Sequence, residues 1–139
     1  MKTRKRTYRL ILGLGVIVSG AAGAADFDGS TALSCTGVSG YSCDPAKACS
    51  KVKPEGDKAP VVLIDPSKKT VKTPYRTDLL PIANSATNNE QLQFQGTAEK
   101  FAWSAIVNRS SGKVTLTIAD RMGAYVIFGE CKAAAASAQ

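Results

Sequence analysis

The sequence predicts an all-β fold: a small antiparallel meander barrel of seven or eight strands closed by two disulfides, with a β-sandwich as the alternative. Three observations carry this expectation. Beyond residue 58, apolar and polar residues alternate with a period of two. Turn-forming clusters interrupt that alternation at hairpin-like intervals. The chain holds four cysteines and no histidine behind an export-like leader, which suits structural staples better than metal or thiol chemistry.

The leader is MKTRKRTYRLILGLGVIVSGAAGAADF. Lys2, Arg4, Lys5, Arg6 and Arg9 precede an apolar or small run from Leu10 to Ser19, and Ala22-Gly23-Ala24 follows. This is the three-part pattern of a bacterial secretory signal peptide, here 1–24, with cleavage expected after Ala24 or Ala25. A membrane span needs about 20 apolar residues, more than this run supplies. No cysteine follows the junction to take a lipid, and Arg4-Lys5-Arg6 is not a paired-arginine export motif. The expectation is a periplasmic or secreted protein with no membrane association once the leader is removed.

The leader also accounts for most of the charge. Five of the 18 basic residues lie in it and none of the 11 acidic ones do, so the exported part carries 13 against 11, a net of +2 rather than +7. The remaining lysines are scattered, with Lys68-Lys69 the one adjacent pair. No basic face for nucleic acid is expected.

Residues 25–132 then read as one disulfide-stapled β domain, and 133–139, AAAASAQ, as a disordered tail too short for an isolated helix. The cysteine spacings are seven, five and 81 intervening residues. They lack the close, paired ligands of a zinc site. No histidine is available to activate a thiol. In an oxidising compartment four cysteines imply two bridges. Three connectivities exist, and sequence alone does not choose among them. Geometry prefers Cys43–Cys49 around the Asp44-Pro45 turn, leaving Cys35 for Cys131 and joining the first strand to the last. On the chain-entropy view the long bridge contributes about 4–5 kcal/mol and the short one about 2–3.

The strands follow in order. Ala32–Gly37 comes first, then an exposed loop over Ser39–Pro60 whose KVKPEGDKAP stretch is charged and proline-containing. Asp65-Pro66-Ser67-Lys68 separates Val61–Ile64 from Thr70–Thr73. Thr87-Asn88-Asn89 separates Leu79–Ser85 from Gln91–Thr97, where Leu92 and Phe94 alternate with glutamines. Pro81 marks its strand as bulged or at an edge. Asn108–Gly112 separates the strand of Phe101, Trp103, Ala105 and Val107 from Lys113–Ala119. Asp120–Gly123 precedes Ala124–Cys131. β-branched and aromatic residues are frequent in these runs, as strands favour.

No catalytic set is evident. Asp65, Asp78, Glu99, Asp120 and Glu130 fall at turns or strand ends rather than as a paired acid and base. Glu55-Gly56-Asp57 is a thin cluster for calcium. Asn108-Arg109-Ser110 fits the glycosylation pattern but reads as turn chemistry. The expectation is a non-enzyme with no catalytic residue, no metal and no cofactor.

In architecture alone, over most of the exported part, the layout resembles small exported bacterial β-barrels such as the periplasmic inhibitors of lysozyme and of secreted proteases. Arg121-Met122-Gly123-Ala124-Tyr125 shares Gly-Ala and Tyr with the Ser-Gly-Ala-Arg-Tyr-like motif of C-type lysozyme inhibitors and lacks its serine. The net +2 also works against encounter with a basic lysozyme, and no membership is assigned.

The functional expectation is therefore a non-catalytic module binding an unknown envelope or extracellular protein, of the hydrolase-inhibitor or immunity type. Its binding loop would present Tyr41, Lys47, Lys51, Lys53 and Lys58. The alternative is a carrier of a small apolar ligand, its cavity lined by Phe94, Phe101 and Trp103. Trp103 on its own reads first as core.

Overall fold

The computed structural model describes residues 27–52 and 59–135. The expected signal peptide, Lys53, Lys58, the Glu55-Gly56-Asp57 cluster and the last four residues lie outside them. Ten strand segments are present: β1 (Leu33–Cys43), β2 (Ser50–Val52), β3 (Val61–Asp65), β4 (Thr70–Lys72), β5 (Leu80–Pro81), β6 (Asn84–Thr87), β7 (Gln91–Thr97), β8 (Ala102–Asn108), β9 (Lys113–Ala119) and β10 (Ala124–Ala133). They form one antiparallel sheet in the order β5-β4-β3-β1-β10-β9-β8-β7-β6, with β2 also on β1. A sandwich would have needed two sheets.

Most sequential strands are neighbours, the exceptions being β2 and β3, which both pair with β1, and β5 and β6, which lie at opposite ends of the order; the first and last strands pair with each other. Cys35 and Cys131 sit directly opposite in the β1–β10 ladder and are bonded. The β1–β2 register sets Ser42 against Ser50. One step further brings Cys43 opposite Cys49, which form the second bridge. Both bridges follow the preferred pairing, and both continue a strand register. Disulfides of this kind belong to an oxidising environment, extracellular or periplasmic.

Three strand expectations need correction. The first strand does not stop at Gly37. Its register on β10 shifts between Gly37 and Ser39, so Val38 is an extra, exposed residue and the strand continues to Cys43. The bulge moves the inward phase from Leu33, Cys35 and Gly37 to Gly40, which hid the continuation from a strict period-two reading. The expected loop over Ser39–Pro60 therefore contains a hairpin of β1 and β2. The strand expected over Leu79–Ser85 divides into β5 and β6, with Pro81 on an edge strand, where its missing N–H does no harm. At the C-terminal boundary, β10 includes Ala133, and the N–H of Ala134 donates to the Ala32 carbonyl at 2.7 Å.

The turns form where they were expected, through one chemistry. Oδ1 of Asp65 accepts from the Ser67 hydroxyl and the Lys68 N–H. Asn88 accepts from the N–H groups of Glu90 and Gln91, and Asp120 from those of Met122 and Gly123. Asn108 gathers both the N–H and the hydroxyl of Ser110 and Ser111. A short acceptor at the first turn position stabilises the chain reversal locally.

The sheet is strongly curled, and one dipeptide shows it. Ile82 donates to the Lys69 carbonyl beside β4 at 2.9 Å, and the next residue, Ala83, donates to the Gln95 carbonyl of β7 at 2.8 Å. Adjacent residues thus bond to strands near opposite ends of the sheet order. Inside the curl, Leu33, Ile64, Leu92 and Val107 are fully buried beside Cys35. Burying each such aliphatic side chain stabilises the fold by about 1.5–3 kcal/mol. Phe27 packs against this core. Arg109 holds it there, donating through Nε to the Phe27 carbonyl at 3.0 Å and through Nη1 to the Asn88 carbonyl at 2.8 Å.

Candidate functional site

The concave face is not filled throughout. A cavity of about 260 Å³ lies against it. Its walls are side chains that alternation turns inward: Val62 of β3, Val71 of β4, Leu80 of β5, Trp103 of β8, Leu116 and Ile118 of β9, and Ile127 of β10. Its rim comes from loops, with Pro60 before β3, Thr73, Tyr75 and Arg76 between β4 and β5, and Phe101 before β8. Tyr75 is 65% exposed, so this rim faces solvent.

Arg76 is the one charged residue of the lining among the described residues. Its Nε and Nη2 donate to the two carboxylate oxygens of Asp78 at 3.0 and 2.9 Å. Its guanidinium carbon lies 6.0 Å from the centre of the Phe101 ring, within cation–π range. The hydrogen bonds from Arg76 hold the Asp78 carboxyl below its ordinary range, and Asp78 in turn raises Arg76. The pair is locally neutral. Glu99 adds a further carboxylate near Arg76, so among the described residues the cavity offers an uncharged apolar interior and a polar mouth where the one guanidinium is met by two carboxylates.

Of the three residues expected to line a ligand cavity, Phe101 and Trp103 do so. Phe94 does not. It is buried in the core at 3% exposure, one strand beyond Trp103, where its ring fills rather than borders space. Trp103 is itself 8% exposed, so it serves as core and as wall. Its Nε1–H is buried and meets no acceptor among the described residues. The ring can sit there because β7 has a glycine opposite: a Cβ at Gly96 would stand 2.6 Å from Trp103 Cζ2 and would also collide with the Pro81 carbonyl.

Sequence reasoning missed Pro60, Val62, Val71, Tyr75, Arg76, Leu80 and the lining of β9 and β10. Alternation marked most of the strand residues as inward, but nothing in it says where the interior runs out of side chains. Tyr75 and Arg76 stand in an irregular loop with no periodic signal at all.

Of the residues expected to bind a partner, Tyr41 and Lys51 lie on the other face, and Lys53 and Lys58 fall outside the described residues. Tyr41 points outward from β1, 41% exposed, with its ring edge-on to Phe128 of β10 at 6.5 Å between centroids. Lys51 is its cross-strand neighbour on β2. Lys47 lies in the disulfide-closed turn, 3.9 Å from Asp44. The hairpin thus brings Tyr41, Lys47 and Lys51 to one end of the sheet, and Phe128 joins them unforeseen. The Gly123-Ala124-Tyr125 stretch is the turn into β10, where a Cβ at Gly123 would stand 2.5 Å from the Cys43 carbonyl.

The carboxylates are engaged locally. Asp65 and Asp120 cap turns, Asp78 pairs with Arg76, and Glu99 and Glu130 are exposed. Among the described residues there is no cluster of three or more metal-ligating side chains. Comparison with known protein families, with curated proteins and with solved structures found no match.

Proposed function

We propose that this chain is an exported, non-catalytic β-barrel protein of the cell envelope that carries a small apolar ligand in its concave cavity. The apolar cavity of about 260 Å³, with its solvent-facing rim, carries this reading. The cavity's apolar lining opens to water at the rim, and a fitting apolar ligand would remove that surface from water. The reading includes closure of the curled sheet into a barrel. Its support is the passage of Ile82-Ala83 from β4 to β7 and the seating of the Pro81 carbonyl on Gly96. Native mass spectrometry of the protein purified from its own host tests the carrier role. A retained small mass is expected, and its repeated absence counts against a resident ligand.

A protein-binding role, as inhibitor or immunity-type protein, is the second reading. The observation favouring it is the exposed Tyr41–Phe128 pair beside Lys47 and Lys51 on a disulfide-stapled hairpin. A stapled hairpin loses little freedom on docking. A pull-down from envelope extract should return one stoichiometric partner, lost on replacing Tyr41 and Lys51. A partner retained by that variant would remove the hairpin from consideration.

A further inference from the structure

The cavity's size and the charges at its mouth define the ligand more narrowly, an inference that rests on the carrier reading. We infer that the site takes a neutral molecule of about ten non-hydrogen atoms, with an apolar body and one hydrogen-bond acceptor placed at the mouth against Arg76. Size comes from proportion: a dry protein cavity of about 150 Å³ holds benzene, so 260 Å³ corresponds to roughly ten such atoms.

The acceptor follows from the donors that Arg76 has left. Guanidinium carries five N–H groups in a planar fork. Nε and Nη2 are directed to Asp78, and Nη1 makes no hydrogen bond among the described residues. Phe101 beneath the guanidinium limits its freedom. A carbonyl or ether oxygen at the mouth would meet a donor there, on a guanidinium that is part-exposed and restrained by Asp78. A carboxylate would meet the same donor, but also the Asp78 charge bonded to it, and like charges oppose each other. A neutral acceptor gains the hydrogen bond without that opposition.

The test is a titration of the oxidised protein followed by NMR, with the indole N–H resonance of the single tryptophan, Trp103, as reporter. Three probes of matched size serve: butylbenzene (no acceptor), propiophenone (a neutral acceptor) and 3-phenylpropanoate (a carboxylate). Arg76→Met should weaken propiophenone about tenfold, the scale of one hydrogen bond to a charged group, and leave butylbenzene within about twofold. Asp78→Asn should strengthen 3-phenylpropanoate severalfold and leave butylbenzene unchanged. If butylbenzene and propiophenone bind but respond alike to Arg76→Met, the mouth contact is wrong and the cavity stands. If 3-phenylpropanoate binds the unaltered protein more tightly than propiophenone, or ignores Asp78→Asn, the charge argument at the mouth is wrong. If no probe binds any form, the carrier reading falls and this inference with it.

Discussion

Gly96→Ala tests the packing at the junction of the sheet's two ends. A methyl group at this position would stand 2.6 Å from Trp103 Cζ2 and 2.7 Å from Cε2, and closer still to the Pro81 carbonyl. The indole is held from behind by the core, and the carbonyl belongs to backbone whose neighbours Ile82 and Ala83 are hydrogen-bonded to both ends of the sheet order. Neither obstacle is the free end of a flexible chain. Overpacking of this kind costs about 1–3 kcal/mol. With an unfolding entropy near 2.1 cal/mol/K per residue and about 110 folded residues, each kcal/mol lowers Tm by roughly 4 °C. Differential scanning calorimetry on the oxidised protein should therefore show a drop of about 4–12 °C, together with a changed Trp103 emission maximum. Combining Gly96→Ala with Trp103→Phe should cost less than the sum of the two, because the shorter ring relieves part of the clash. A Gly96→Ala protein with unchanged Tm and unchanged emission would refute the seating of Pro81 on β7, and closure of the sheet would lose its main support.

The two bridges should differ in worth. On the chain-entropy relation a 96-residue separation gives about 4.7 kcal/mol and a six-residue one about 2.2. Urea titration of the paired Cys→Ala variants should thus show the greater loss for Cys35/Cys131, and equal losses would contradict that account. Val62→Phe, which adds a ring to the cavity wall, should raise stability by about 0.5–2 kcal/mol while weakening every probe that fills the cavity. Lower stability with unaltered binding would mean that Val62 faces elsewhere. The carboxyls of Asp28, Asp65 and Asp78 are held below their ordinary value of 3.8, the first two chiefly by serine hydroxyls and the third by Arg76. A depressed carboxyl adds stability above its unfolded pKa and loses it as pH falls through the folded one. Melts should accordingly be flat in these groups from neutrality to about pH 4 and decline below it, with Asp65→Asn declining less. A decline already present at pH 6 would point to other groups.

Much of the fold was legible because its signals are local. Asp65, Asn88, Asn108 and Asp120 each announced a reversal through a side chain that accepts its own turn's N–H groups, so the β3–β4, β6–β7, β8–β9 and β9–β10 hairpins fell where expected. Gln91–Thr97 and Lys113–Ala119 matched to the residue. The failures are equally physical. A bulge at Val38 breaks the period without ending the strand. Ser50–Val52 is too short to alternate visibly and exists because the Cys43–Cys49 register holds it against Tyr41. The turn of the chain at Ile82-Ala83 depends on two distant carbonyls, those of Lys69 and Gln95, that no local pattern encodes. The lining of the cavity was half legible for the same reason: Trp103 and Phe101 stand in clear alternation, whereas Tyr75 and Arg76 reach the mouth only through the curl.

The cavity itself follows from how inward side chains are distributed along the curl. Toward one end, Leu33, Ile64, Leu92, Val107 and Val114 point inward together with the Cys35–Cys131 bridge, and Phe27 packs against this cluster from the N-terminal side. Elsewhere the inward positions of β1, β7 and β10 include Gly37, Gly40, Gly96 and Gly129. Two large side chains lean into the space those glycines leave. Trp103 lies on Gly96, and Ile127 approaches Gly37 and Gly40, within 3.2 and 3.6 Å of where their Cβ atoms would be. One indole and one isoleucine do not fill the remaining interior, and the 260 Å³ left over is bounded by Val62, Val71, Leu80, Leu116 and Ile118. A larger inward residue at a wall position such as Val62 would have served stability better, since filling such space commonly adds about 0.5–2 kcal/mol. On the carrier reading its absence is the cost of keeping a binding space open, and this separates the two readings physically. A protein-docking module that uses the outer face of β1 and β10 gains nothing from an unfilled interior, whereas a carrier requires one.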